Sequence, residues 1–125
     1  MNVKIDTKEK FTVITPQEED LTANMTEELS DLLLSYLQKD IPHLVLNLQW
    51  IEKAGESPVV AIAHIQKQFY DNHFSFVICN MQEEVEEILE KKELLERMNI
   101  THTETEAWDM VQMEEIEREL LRDEE

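Results

Sequence analysis

Cysteine, glycine and basic side chains are what this sequence has least of, and each scarcity closes off a class of chemistry. A lone Cys79 excludes an intrachain disulfide and a zinc cluster built on several thiolates. A lone Gly55 excludes a glycine-rich phosphate loop. No apolar run nears the roughly 20 residues that a membrane-spanning helix needs. The opening Met-Asn-Val-Lys-Ile-Asp carries no apolar signal segment, which predicts a cytoplasmic protein. Only 11 Lys and Arg stand against 29 Asp and Glu, for a net charge of −18. That balance argues against nucleic-acid backbone, which is bound by clustered cations, and against an anionic membrane surface. A basic protein surface would be attracted and steered. His43, His64, His73 and His102 are scattered without the i, i+4 spacing of a metal site. Neither a metal nor another cofactor is expected.

What remains is enough to fold. The 125 residues are 42% apolar, which suits a single domain over 1–125 with its own core. Val3 with Ile5, and Phe11 with Val13, alternate as half-buried strands do, and Pro16 ends the second strand. Leu21-Thr22-Ala23-Asn24 leads into a helix, with Thr22 or Asn24 as its cap. Met25, Leu29, Leu32, Leu33, Tyr36 and Leu37 follow helical spacing there. Residues 44–48 are apolar on both faces apart from Asn47, as in a central strand. Pro58 suits the first turn of the next helix, whose buried side is Val59, Ile62, Ala63 and Phe69. Residues 74–79 read as a fourth strand, and Asn80 stands where a helix cap belongs. Met81, Val85, Ile88 and Leu89 mark a third helix, and residues 100–102 a short fifth strand. Thr103 or Thr105 begins an acidic last helix at about 105–122, whose apolar positions include Ala107, Trp108, Val111, Met113, Ile116 and Leu120. Those positions dock on the core or offer a dimer or partner contact. From residue 83 onward 5 bases face 17 acids, so 5 − 17 = −12 of the charge lies there. The predicted fold is α/β, a mixed sheet of four to five strands with about four helices mainly on one face, in the order β-β-α-β-α-β-α-β-α.

That order and several local patterns resemble the STAS domain, the fold of bacterial anti-sigma factor antagonists. Leu21-Thr22-Ala23-Asn24 is similar to the family's Leu-Asp-Ala turn. Leu44-Val45-Leu46-Asn47-Leu48 is similar to its Val-Leu-Asp-Leu strand, with Asn for Asp. Asn80-Met81-Gln82-Glu83-Glu84-Val85 resembles its turn into the third helix, and residues 98–107 resemble its ending. The resemblance implies partner switching, in which an anti-sigma factor with serine kinase activity phosphorylates an Asp-Ser-Ser/Ala-Gly-Leu stretch at the start of the second helix. This chain reads Gly55-Glu56-Ser57-Pro58-Val59 there. Gly55 replaces the Asp, Glu56 the phosphorylated Ser, and Pro58 the Gly.

A helix N-terminus stabilises negative charge, so Glu56 there either partly imitates phosphoserine or is an ordinary first-turn acid. Ser57 reads as an N-cap before Pro58, or as a phosphate acceptor if the loop is slipped by one. The resemblance also implies a partner-binding patch at Trp50, Ile51, Glu56 and Val59; Trp50 alternatively covers one end of the core. Cys79 reads as a small buried residue. No catalytic constellation emerges, so a non-enzymatic interaction domain is expected. The alternatives are a structural or homodimeric subunit of an assembly and a small-molecule or lipid-binding α/β domain.

Overall fold

In the computed structural model, which describes residues 1–124 and side chains through Leu121, the chain forms one main sheet. Strands β1 (Val3–Thr7) and β2 (Thr12–Pro16) pair antiparallel, with Val3 opposite Pro16 and Thr7 opposite Thr12. After a two-residue strand β3 (Asp20–Leu21) come helix α1 (Thr26–Ser35), strand β4 (Leu44–Asn47) and another two-residue strand, β5 (Lys53–Ala54). Helix α2 (Glu56–Asp71), strand β6 (Phe76–Cys79), helix α3 (Glu83–Lys91), strand β7 (Ile100–Thr101) and helix α4 (Glu104–Glu124) complete the order. The sheet runs β1-β2-β4-β6-β7, and every pairing after the first is parallel. Parallel neighbours need a crossover, and α1, α2 and α3 supply the three that are required.

The two-residue period of the strands divides the core into two layers. Ile14, Leu44, Leu46, Phe76 and Ile78 face α1, α2 and α3, where they meet Leu29, Leu33, Ile62, Phe69 and Leu89. Phe69 and Phe76 contact edge to face at 5.1 Å. The intervening Val13, Val45, Val77 and Cys79 face Ala107 and Val111 of α4 on the opposite side. Burying each large aliphatic or aromatic side chain contributes about 1.5–3 kcal/mol before chain entropy is counted. Three helices thus lie on one face and α4 alone covers the other.

Local details depart from the sequence expectations where other hydrogen bonds win. Thr22 and Asn24 do not cap α1; a 3-10 turn at Ala23–Met25, closed by the Met25 N–H on the Thr22 carbonyl at 3.0 Å, comes first. Asn80 is not the cap of α3 either. It adopts a left-handed φ of 55°, which its short polar side chain tolerates, and Gln82 holds the cap position. Ser57 is the second residue of α2, after Gly55 at the cap position. Residues 74 and 75 leave the fourth strand because the Phe74 N–H returns to the Phe69 carbonyl at 2.8 Å and the Ser75 N–H to His43 at 3.0 Å. Met113, Ile116 and Leu120 do not dock on the core, which takes only Ala107 and Val111 fully from α4.

A polar cluster fastens the middle of α4 to the sheet. His43 Nε2 lies 3.0 Å from Glu115 Oε2, while His43 Nδ1 accepts the Ser75 N–H. Arg118 donates to Ser75 Oγ at 3.1 Å and to the same Glu115 oxygen at 3.3 Å. Burial pushes the His43 pKa below its ordinary 6.5; Arg118 adds to this, and attraction to Glu115 only partly offsets it. Protonating Nδ1 would also cost the Ser75 bond. The folded chain therefore binds this proton less readily than the unfolded chain does. Stability is fully present above the ordinary value of 6.5 and is lost as pH falls below it, towards the lowered folded value. Urea titrations at about pH 7 and about pH 5 should show a larger loss for the wild type than for His43→Gln, which lacks the titrating ring.

Candidate functional site

The carboxyl ends of β4 and β6 and the amino ends of α2 and α4 meet at one end of the sheet. Asn47 is the only polar residue of β4, and it is buried. Its Oδ1 accepts the Gln49 N–H at 3.0 Å and an Asn80 Nδ2–H at 3.1 Å, and its own Nδ2–H donates to Glu104 Oε1 at 3.1 Å. The amide thus ties the β4 turn, the β6 turn and the first residue of α4 together. An aspartate in the same place would bring a second carboxylate to Glu104 and remove the donor, which gives a physical reason for Asn here.

Beyond Asn47 the loop is held along its length. The Ile51 N–H donates to the Leu48 carbonyl at 3.1 Å, and the Gln82 side chain donates to the Gln49 carbonyl at 2.9 Å. β3 and β5 then pair in parallel, Asp20 with Lys53 and Leu21 with Ala54. The Lys53 N–H reaches the Glu19 carbonyl at 3.0 Å and the Gly55 N–H the Leu21 carbonyl at 2.8 Å. Gly55 has a φ of −73°, ordinary for any residue, and a Cβ there would meet its nearest neighbours at 3.5 Å, normal contact.

Of the residues singled out from sequence, Glu56 is exposed at the first position of the 16-residue α2. Its carboxylate pairs with Lys92, just past the end of α3. Both side chains are about half exposed, so the pair is worth at most about 1 kcal/mol. Ser57 is also exposed, its Oγ 3.4 Å from Thr26 Oγ1. Pro58 is buried within the first turn. Trp50 stands at the crest of the loop, 55% exposed. Ile51 and Val59, expected on the contact patch, are instead buried in the α1–α3 core; an aliphatic side chain flanking a tight turn gains more from the core than from water. The surface part of the patch is Trp50, Glu56 and Ser57. Asn80, Gln82, Lys92 and Glu104 were not picked out for the site from sequence. Asn80 reads as a cap, and nothing in the linear order joins Lys92 to Glu56 or Glu104 to Asn47.

Cys79 ends β6 beneath this surface and is fully buried. Burial, reinforced by the nearby Glu104 carboxylate, pushes its pKa up to about 12. The thiol is therefore protonated and shielded, unsuited to nucleophilic or redox work. Among the described residues no three His, Cys, Asp or Glu gather as metal ligands, and no helix is long and apolar enough to cross a membrane.

The model of the STAS domain family matches residues 2–107, and the chain belongs to that family. A search of curated protein sequences finds no significant match. Solved structures share the fold at low identity. An anti-sigma factor antagonist assigned in Thermotoga maritima is 20% identical, with a TM-score of 0.79 over 88% of this chain and 94% of that one. The anti-sigma factor antagonist SpoIIAA in its unphosphorylated form is 16% identical, with a TM-score of 0.71 over 89% and 96%. A Ser-to-Glu variant of RsbS from Moorella thermoacetica is 16% identical, with a TM-score of 0.70 over 90% and 96%.

The role of Asn47 is open to a direct check. Asn47→Asp should lower the unfolding free energy by about 1–3 kcal/mol at neutral pH, since it opposes Glu104 and loses a buried donor. Protonation of the new carboxyl in the folded state should recover part of the loss as pH falls. Urea midpoints at about pH 7 and about pH 5 give both numbers.

Proposed function

We propose that this STAS domain works by protein–protein binding at the rim formed by Trp50, Glu56 and Ser57, as a non-enzymatic, cytoplasmic component of a partner switch. The partner this reading favours is an anti-sigma factor of the serine kinase type. One observation carries it: an exposed glutamate opens α2, where counting along the sequence from the β4 strand puts the phosphorylated serine of the family motif. A phosphoserine there would carry about −1.5 to −2 charge, stabilised by the helix N-terminus. Glu56 supplies one permanent negative charge on the same turn, partly offset by Lys92. The rim therefore imitates the modified state, at reduced strength, and cannot be reset by a phosphatase. Charge placed in a contact of this kind opposes binding through repulsion and desolvation.

Two observations agree with the reading. The loop is hydrogen-bonded from Asn47 to Gly55, so the backbone that leads into Glu56 is held in place. A Ser-to-Glu variant of RsbS retains the fold shared with this chain, so a glutamate is structurally compatible with the family architecture. Ser57 is not favoured as an alternative acceptor, because Glu56 and not Ser57 holds the opening position of α2.

The test is binding to a purified serine-kinase anti-sigma factor, by calorimetry, with and without ATP. Glu56→Ser should bind at least about tenfold tighter than wild type and lose that gain when ATP is supplied, whereas wild type should ignore ATP. Identical affinities for the two proteins under both conditions would end the proposal.

A further inference from the structure

Helix α4 is apolar on two opposite sides, and only one of them is used. Ala107 and Val111 enter the core beneath the sheet, and Glu115 and Arg118 on that side are bonded to His43 and Ser75. At about 100° per residue, Met113, Ile116 and Leu120 fall within roughly 60° of arc on the opposite side. They are 58%, 52% and 59% exposed, and Leu121 beside them is 62% exposed. Single exposed apolar residues are ordinary, but four within two to three turns of one helix form a patch. The patch lies beyond the STAS match, which ends at residue 107.

We infer that the outward face of α4 is a second docking surface, separate from the Glu56 rim, and that its occupant is a basic amphipathic helix of another protein. The apolar stripe at i, i+3 and i+7 is what a helix lying alongside would bury. Its borders decide the sign. Asp109, Glu117 and Glu119 are exposed next to it, and among the described residues of this face of α4 there is no Lys or Arg. Arg118 points inward. Lys8 and Lys10 on the β1–β2 turn line a cleft of about 370 Å³ that includes Phe11, Trp108 and Ile116 in its walls, and Arg118 lines a second one with Glu117 and Leu121. Lys8 is already held by Asp6 at 2.9 Å and lies over the Trp108 ring at 4.8 Å. A second copy of this chain is disfavoured because self-pairing sets these acids against one another. An anionic membrane is disfavoured for the same reason. A helix with an apolar strip between rows of Lys and Arg satisfies both requirements.

The probe for this surface is a fluorescein-labelled helical peptide of about 18 Leu and Lys residues in amphipathic order, titrated with the full chain and read by anisotropy. Wild type should bind it, more tightly at about 50 mM than at about 300 mM salt, while the matching Leu/Glu peptide should not bind. The triple replacement Met113→Ser, Ile116→Ser, Leu120→Ser should weaken binding by at least about tenfold with the thermal midpoint held, because each of these side chains is more than half exposed. If the triple replacement lowers that midpoint, Ile116→Ser alone gives the reading, with a loss of about threefold expected. Equal binding by wild type and variant would reduce the effect to bulk charge and overturn the inference. So would a wild type that sediments as a dimer and becomes monomeric in the variant, which would make the occupant a second copy.

Discussion

Parallel pairing of β4 between β2 and β6 is the constraint from which the rest of the structure follows. A parallel ladder cannot be closed by a tight turn, so each connection must travel back along a face of the sheet. The chain uses α1, α2 and α3 for those returns, and one face of the sheet is covered as a result. The same geometry sends β4 and β6 out of the sheet at one end, where their turns and the starts of α2 and α4 have to share space. Asn47 is the residue that makes this crowding stable. One amide joins three segments that lie far apart in the chain, and it does so with both its acceptor and its donor used.

The electrostatics of this end of the molecule differ from those of the chain as a whole. Most of the net charge is spread over solvated helix faces, where it sets the sign of the field an approaching partner meets. Glu56 is different in kind because its backbone is fixed by the β3–β5 pairing and its position is the positive end of a long helix. A carboxylate there gains from the helix dipole and from Lys92, yet stays exposed enough to be felt by an approaching surface. Rigidity and charge are both required for a surface to be read as modified or unmodified, and the loop supplies the first independently of the second.

The strands and helices were legible in the sequence because each carries its own periodicity. The alternation of residues 3–5 and 10–15, the unbroken 44–48 run and the helical spacing of Leu29 and Leu33 all correspond to elements that form. The resemblance to the STAS domain was legible in the same segments, and the family match covers them. What the sequence hid is what depends on contacts between distant residues. β3 and β5 are two residues each, too short for a pattern, and exist only because they pair with one another. The cap positions were misread at Thr22, Ser57 and Asn80, since a 3-10 turn, the Gly55 position and a left-handed bend intervened. Ile51 was read for the contact patch, and Val59 for both that patch and the buried side of α2, because hydrophobicity alone does not say whether a residue meets the core or a partner. The Lys92–Glu56 pair joins the residue just past α3 to the first residue of α2 and leaves no trace in either segment.

The backbone at Gly55 bears on how lasting the departure from the family motif is. The residue sits in an ordinary conformation, and a Cβ there would meet its neighbours at ordinary contact distance, so neither the backbone nor that contact requires glycine. Replacing Gly55 and Glu56 by Asp-Ser therefore calls for no change in the backbone of the turn that carries them. On the proposed reading, a state set by side chains alone can be reversed by side chains alone.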